Sequence, residues 1–284
     1  MSVDIPSAPR WLRVDHVELA VADIDRAAEL HHRLGFVRVA TRELRERRVR
    51  SYRLVSGSLS IVLSESRLAT DPIAVAVAKH GDGIFSIGFL CPDALSALER
   101  LHQRGAQVLE APRTVRTGDP VVEQTQAQVL AFGHVRHTLV SRNGGPFLEG
   151  FPPMPSTSPP GFGIERVAGW LAFVGPEHFA IAAARYAQML GLVEVGATTD
   201  ESHRRWTTPD GTLFPEMACP TAPGDRASEF LDVNHGAGVG EVTFVSSRPE
   251  ETHARIAAAG LAIDRETGLT EPIAGQLRYR VVGG

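Results

Sequence analysis

Side chains able to do chemistry are spread thinly along this 284-residue chain. Its two cysteines, Cys91 and Cys219, have no Cys-x-x-Cys spacing, so they build neither a disulfide framework nor a thiolate metal site. That usage points to a reducing cytoplasm. His31 and His32 fall in a helical pattern, and His134 and His137 sit beside a turn and a strand; surface or packing roles account for all four. Basic residues are nearly all arginine, with Lys79 the only lysine. The densest cationic run, Arg42, Arg45, Arg47, Arg48 and Arg50, is interleaved with Glu43 and Glu46, the pattern of a solvated face rather than a nucleic-acid contact. A net charge of −4 and a pI near 6.3 exclude a dedicated nucleic-acid binder. Mean hydropathy is −0.06, no apolar run approaches the ~20 residues of a membrane span, and no basic segment leads into an apolar stretch at the start. The expected protein is soluble and cytoplasmic, and its expected partner is small.

The elements that must position a site come as a repeat. Val14–Val21 alternates as a strand and runs into DIDRAAELHHRLGF, apolar at helical spacing, with an Asp at its start and Gly35 at its stop. The Pro-, Ser- and Gly-rich stretch near residue 155 reads as a linker over residues 153–162. Beyond it Ile164–Leu171 is again a strand, and PEHFAIAAARYAQMLGLVEV is again a helix ending in Leu-Gly before a strand. Each half repeats the device internally: Gly83–Leu90 leads into PDALSALERLHQRGAQVL, and Gly238–Val245 into RPEETHARIAAAGLAI. Tandem βαβββ modules, two in residues 1–152 and two in residues 163–284, predict an α+β fold of two half-barrels of about eight strands each. A curved sheet closed around a cavity is a natural seat for a small molecule.

This arrangement resembles the vicinal oxygen chelate superfamily. Within it, the chain resembles the 4-hydroxyphenylpyruvate dioxygenases and hydroxymandelate synthases. The segments AVAKHGDGIFSIGF (76–89), HVRHTLVSRNGGPFLEGF (134–151) and EFLDVNHGAGVGEVTF (229–244) carry the resemblance, with lesser matches at VDHVELAV and DGTLFPEMACP. The resemblance implies a non-haem Fe(II) enzyme oxidising a 2-oxo acid, its iron held in the C-terminal half by two histidines and a glutamate. None of the three ligands is kept. Arg166 stands at the first histidine position, and a guanidinium has no lone pair for a metal. Glu241 stands at the second. The last strand, Gln276–Val281, holds no carboxylate, and the chain stops at Gly284, before the family's covering C-terminal helix.

With the fold kept, the resemblance places Arg166 and Glu241 on adjacent strands, paired inside the C-terminal cavity. Glu241 would then act as a general base, and Arg166 would hold an enolate, carboxylate or phenolate. Trp170, Trp206, Thr207, Met217, Tyr279 and His235 are the expected substrate-binding residues, for an aromatic or polyketide-like ligand. No metal is expected; the alternative is a half-site at His16 and Glu149, where other superfamily members carry ligands. The leading expectation is a metal-independent enzyme of secondary metabolism that isomerises, cyclises or dehydrates a natural-product intermediate. An Fe(II)-dependent 2-oxo-acid dioxygenase and a non-catalytic ligand-binding or resistance protein are the alternatives. An uncovered strand edge in the shortened second barrel points to a homodimer.

Overall fold

The computed structural model describes residues 7–117, 121–143, 150–151, 161–196 and 201–284. The first half runs β1 (Arg13–Ala20), α1 (Ile24–Arg33), β2 (Val37–Leu44), β3 (Val49–Ser56), β4 (Leu59–Ser66), α2 (Pro72–His80), β5 (Gly83–Leu90), α3 (Ala94–Gln103), β6 (Val108–Thr117), β7 (Val122–Phe132) and β8 (Val135–Asn143). The second runs β9 (Ile164–Phe173), α4 (Pro176–Leu190), β10 (Val193–Glu194), β11 (His203–Thr207), β12 (Phe214–Ala218), α5 (Arg226–Asn234), β13 (Gly238–Ser246), α6 (Pro249–Ala258) and β14 (Arg278–Gly283). Local chemistry sets the helix starts. Asp23, Asp71 and Asp93 accept the first free amides of α1, α2 and α3, and Pro72, Pro176 and Pro249 occupy opening positions where no amide hydrogen is needed. Gly191 ends α4 in the left-handed conformation that glycine adopts without penalty.

Each half is one curled sheet. The first has the order β2-β3-β4-β1-β5-β8-β7-β6, and the second β10-β11-β12-β9-β13-β14. Strand for strand, the second reproduces the first six positions of the first. β1 lies parallel to β4 and antiparallel to β5; β9 lies parallel to β12 and antiparallel to β13. The repeat read from the sequence is therefore a repeat of geometry. It differs in strand number: among the described residues the second sheet has six strands, without counterparts of β6 and β7. The segment between α6 and β14 is shorter than that between α3 and β8, and it makes turns and isolated bridges in place of a paired hairpin. Asp264 caps a turn through the amides of Glu266 and Thr267, and only isolated bridges such as Leu269–Arg280 form. Residues 153–160 of the expected linker lie outside the described residues. No helix among the described residues is long and apolar enough to cross a membrane.

One face of each sheet is consumed by a core common to both halves, holding Leu19, Ile61, Phe89, Trp170, Phe244 and Tyr279 among others. Two histidine–tyrosine hydrogen bonds cross it, and the internal repeat relates them. His31 on α1 meets the Tyr279 hydroxyl on β14 at 2.8 Å, and His137 on β8 meets the Tyr186 hydroxyl on α4 at 2.9 Å. His31 donates Nδ1–H to the Ala27 carbonyl at 2.7 Å, which leaves Nε2 to accept from tyrosine. Burial pushes His31 down to about 4 and His137 to about 3; burial, with His80 alongside, also pushes His134 down to about 4. These rings are neutral in the folded protein.

The sign of the pH dependence follows. An unfolded chain binds protons at these histidines below about pH 6.5, and the folded chain refuses them until about pH 4. Their contribution to stability is complete above pH 6.5 and is lost as the pH falls towards 4. The urea midpoint should drop between pH 7.5 and pH 5, with an uptake on unfolding of up to about three protons. A midpoint constant over that range would contradict neutral buried histidines.

Candidate functional site

The opposite face of each sheet is the one free for chemistry, and the two halves treat it differently. In the C-terminal half, Glu241 on β13 is only 3% exposed. Arg226, from the first turn of α5, donates to it at 2.7 Å, and Arg280 on β14 donates through both Nε and Nη2. Burial alone would raise the carboxyl pKa, but the hydrogen bonds and charges of Arg280 and Arg226 hold it below the usual carboxylate range. Beside it Phe173 packs against Ala227 and Phe230 of α5, so the helix is both greased and clamped onto the sheet.

The expected Arg166–Glu241 pair does not form. Register decides this: Leu171 lies opposite Glu241, whereas Arg166 lies opposite Val245 at the other end of the ladder. Arg166 is exposed, and its guanidinium donates to the Thr212 carbonyl at 3.3 Å. Its expected place beside Glu241 is filled by Arg226 and Arg280. The expected pocket wall is also displaced. Trp170, Trp206, Met217 and Tyr279 are all buried in the common core, because strand alternation turns them away from Glu241. Thr207, half-buried at the end of β11, donates to the Thr208 carbonyl at 3.2 Å. His235 is the exposed C-cap of α5, with φ 50°. Iron does not fit this donor set. Glu241 spends both oxygens on guanidinium groups, and no group of three or more His, Cys, Asp or Glu that could hold a metal occurs among the described residues.

The N-terminal half has a cavity of about 510 Å³ on the equivalent face. His16 and Glu18 of β1 look into it from one strand, Arg42 from β2, Arg136 and Thr138 from β8, and Gln128 from β7. Glu18 accepts from Ser64 at 2.7 Å and lies 4.0 Å from Arg42, which itself donates to Ser51 at 3.1 Å. Each inner arginine rests on a ring: Arg42 over Phe151 at 4.7 Å and Arg136 over Phe85 at 4.4 Å. Arg136 also donates to Gln128 at 3.1 Å, and burial lowers its pKa. The arginine run read as a solvated face is thus split. Arg45, Arg47 and Arg48 are exposed, but the alternation of β2 turns Arg42 inward. Of the alternative metal half-site, Glu149 lies outside the described residues, and His16 is engaged by Asp15 at 2.9 Å. Sequence reasoning did not single out Glu18, Arg136, Arg226 or Arg280; only the alternation of VDHVELAV, with His16 and Glu18 two residues apart, could have signalled a shared face.

Residues 15–122 match the family model described as Glyoxalase/Bleomycin resistance protein/Dioxygenase superfamily. The chain superposes on a mutant 4-hydroxymandelate synthase from Streptomyces coelicolor with TM-score 0.79 and 21% identity, covering 98% of this chain and 93% of that one. This is a vicinal oxygen chelate fold. A second solved structure, a xylose isomerase-like TIM barrel/4-hydroxyphenylpyruvate dioxygenase fusion protein, gives TM-score 0.75 at 17% identity, with 99% of this chain on 50% of the other. In sequence, the chain is 26% identical over 275 residues to the 4-hydroxyphenylpyruvate dioxygenase of Coccidioides posadasii and 25% identical over 279 to that of Aspergillus fumigatus. The matches cover 81% and 82% of this chain and 66% of each relative's length.

Glu241 and Arg166, the two residues expected to pair in the C-terminal half, should behave differently from each other. Glu241→Gln removes the charge that holds Arg226 and Arg280 and should cost about 1–3 kcal/mol of unfolding free energy. Arg166→Met removes one exposed contact and should stay within about 0.5 kcal/mol of the parent. Chemical denaturation of the two variants checks this, and equal losses would restore the Arg166–Glu241 pairing.

Proposed function

We propose that this protein is a metal-independent acid–base enzyme that isomerises, cyclises or dehydrates a small anionic aromatic or polyketide-like molecule of natural-product metabolism, and that it works in the N-terminal cavity. The observation that carries the reading is Glu18, a carboxylate facing two ring-backed arginines, Arg42 and Arg136, inside a 510 Å³ hollow. That volume suits a molecule of one or two rings. A substrate carboxylate or phenolate would meet the guanidinium groups, and Phe85 and Phe151 would face its ring. Glu18 would take a proton from the carbon next to a carbonyl, the electron pair passing to an oxygen that the arginines stabilise. The same proton returned to another atom isomerises the molecule; loss of a hydroxide leaving group instead dehydrates it.

The dioxygenase names of the curated relatives favour oxygen chemistry, but the residues at the family's ligand positions favour its loss. Fe(II), ascorbate and 4-hydroxyphenylpyruvate added together should give no oxygen uptake above background. Saturable uptake would overturn the reading in favour of the dioxygenase.

The cavity is tested by thermal unfolding with a panel of aromatic carboxylates. A ligand at 100 times its Kd stabilises by about 2.7 kcal/mol. The shift should vanish in Arg42→Gln and Arg136→Gln and persist in Arg166→Met. Once a substrate is found, Glu18→Gln should lower kcat by about 100-fold or more while leaving Kd nearly unchanged. Binding with no turnover in parent and variant alike would mark a ligand-binding or resistance protein instead. A cytoplasmic homodimer, joined along a sheet edge, is the assembly we attach to this reading, and light scattering at micromolar concentration tests it.

A further inference from the structure

We propose that His16 is a second proton carrier of the N-terminal cavity, with Asp15 and Arg142 as its positioning residues. The inference rests on the reading that this cavity is the working site. Adjacent residues of a regular strand point to opposite faces, so an Asp-His pair would ordinarily be kept apart. Here the register of β1 against β5 slips between Val14 and His16, and Asp15 is the extra residue of that irregularity. The slip lets Asp15 reach its own neighbour: His16 Nδ1 donates to Asp15 Oδ2 at 2.9 Å.

The carboxylate is itself fixed. Arg142 on β8 donates to both of its oxygens, at 2.6 and 2.5 Å, and also donates to Gln124 at 3.1 Å. All of this is buried: Asp15 is 7% exposed and Gln124 fully enclosed. A bidentate arginine bond holds the carboxylate plane, and the plane holds the imidazole. Across the ladder stands Gly88, where any Cβ would fall inside the His16 ring. The ring is therefore laid against bare backbone, with its edge in the cavity wall.

Two consequences follow for the imidazole. With Nδ1 committed to Asp15, the neutral ring carries its proton there, and Nε2 has the free lone pair, without a protein partner among the described residues. Asp15, itself fixed by Arg142, keeps that tautomer and the orientation of the ring. In the proposed step a substrate O–H or C–H bond breaks, an Nε2–H bond forms, and the electron pair stays on the substrate. The proton is then returned to the substrate at another atom or released to water. Glu18, two residues along the same strand face, gives the cavity a second carrier, so one group can accept while the other donates. No oxidant or reductant enters.

Diethyl pyrocarbonate, which acylates unprotonated imidazole nitrogen, is the probe, with mass spectrometry of peptides resolving each histidine. His16 should react with the folded protein, while His31 and His137, sealed in the common core, should not. Asp15→Asn should slow the His16 reaction by about tenfold or more, and Gly88→Ala, which unseats the ring, should slow it as well. Because either variant can fail to fold, the tautomer is read in the parent protein by long-range proton–nitrogen NMR: the His16 proton should sit on Nδ1. A proton on Nε2, or a His16 no more reactive than His31, would overturn the inference. Aromatic-carboxylate binding decides the cavity reading separately: binding with an inert His16 sinks only the second carrier, and a reactive His16 without binding sinks the site it was meant to serve.

Discussion

The back-to-back core is the constraint on which the rest of the structure depends. It joins the two sheets through a single apolar mass and two buried histidine–tyrosine hydrogen bonds, and it takes one face of every central strand. A strand has only two faces. Whatever points into that core is spent on packing, and whatever points away is available for charge, cavities and chemistry. Trp170, Met217 and Tyr279 fall on the first side, and Glu18, Arg136 and Glu241 on the second. Shifting any strand by one residue would exchange the two sets, which the burial of so many large side chains forbids.

Within that frame, the halves differ because their sheets differ in width. β6 and β7 extend the first sheet beyond β8, and their Glu110, Arg113, Gln126 and Gln128 supply one wall of the cavity. The second sheet has no such pair among the described residues, so its equivalent face lacks that wall. α5 fills part of it with Phe230, and the charges left there neutralise one another as Glu241 with Arg226 and Arg280, and Glu216 with His203 and Arg205. Buried carboxylates need such partners, since desolvation without them is costly. The C-terminal half is thus the packed one.

The cavity side shows the reverse economy. Its polar groups are held in place by partners behind them, Ser64 and Ser51 behind Glu18 and Arg42, Asp15 and Arg142 behind His16, Phe85 and Phe151 beneath the arginines. Groups held from behind present a fixed edge to an incoming molecule and lose little freedom on binding it, which is how a protein pre-organises a site without closing it.

Periodicity and turn chemistry are local, and the sequence by itself determined what is local. The alternation at Val14–Val21 and Ile164–Leu171, the Asp caps and Leu-Gly stops, and the repeat of strand and helix are properties of short segments that need no partner to be read. The tertiary structure alone decided which residues meet. Arg226 and Arg280 come to Glu241 from a helix and a strand distant in sequence, while Arg166, on the neighbouring strand, is carried away by an antiparallel register that no local pattern encodes. The irregularity at Asp15 is invisible for the same reason: a bulge exists only between two strands, so Asp-His at 15–16 reads as two opposite faces until β5 is laid beside β1. The wider first sheet, and with it the cavity, depends on β8 docking parallel to β5 about 50 residues away and carrying the β7–β8 hairpin with it, a long-range pairing rather than any residue's own preference.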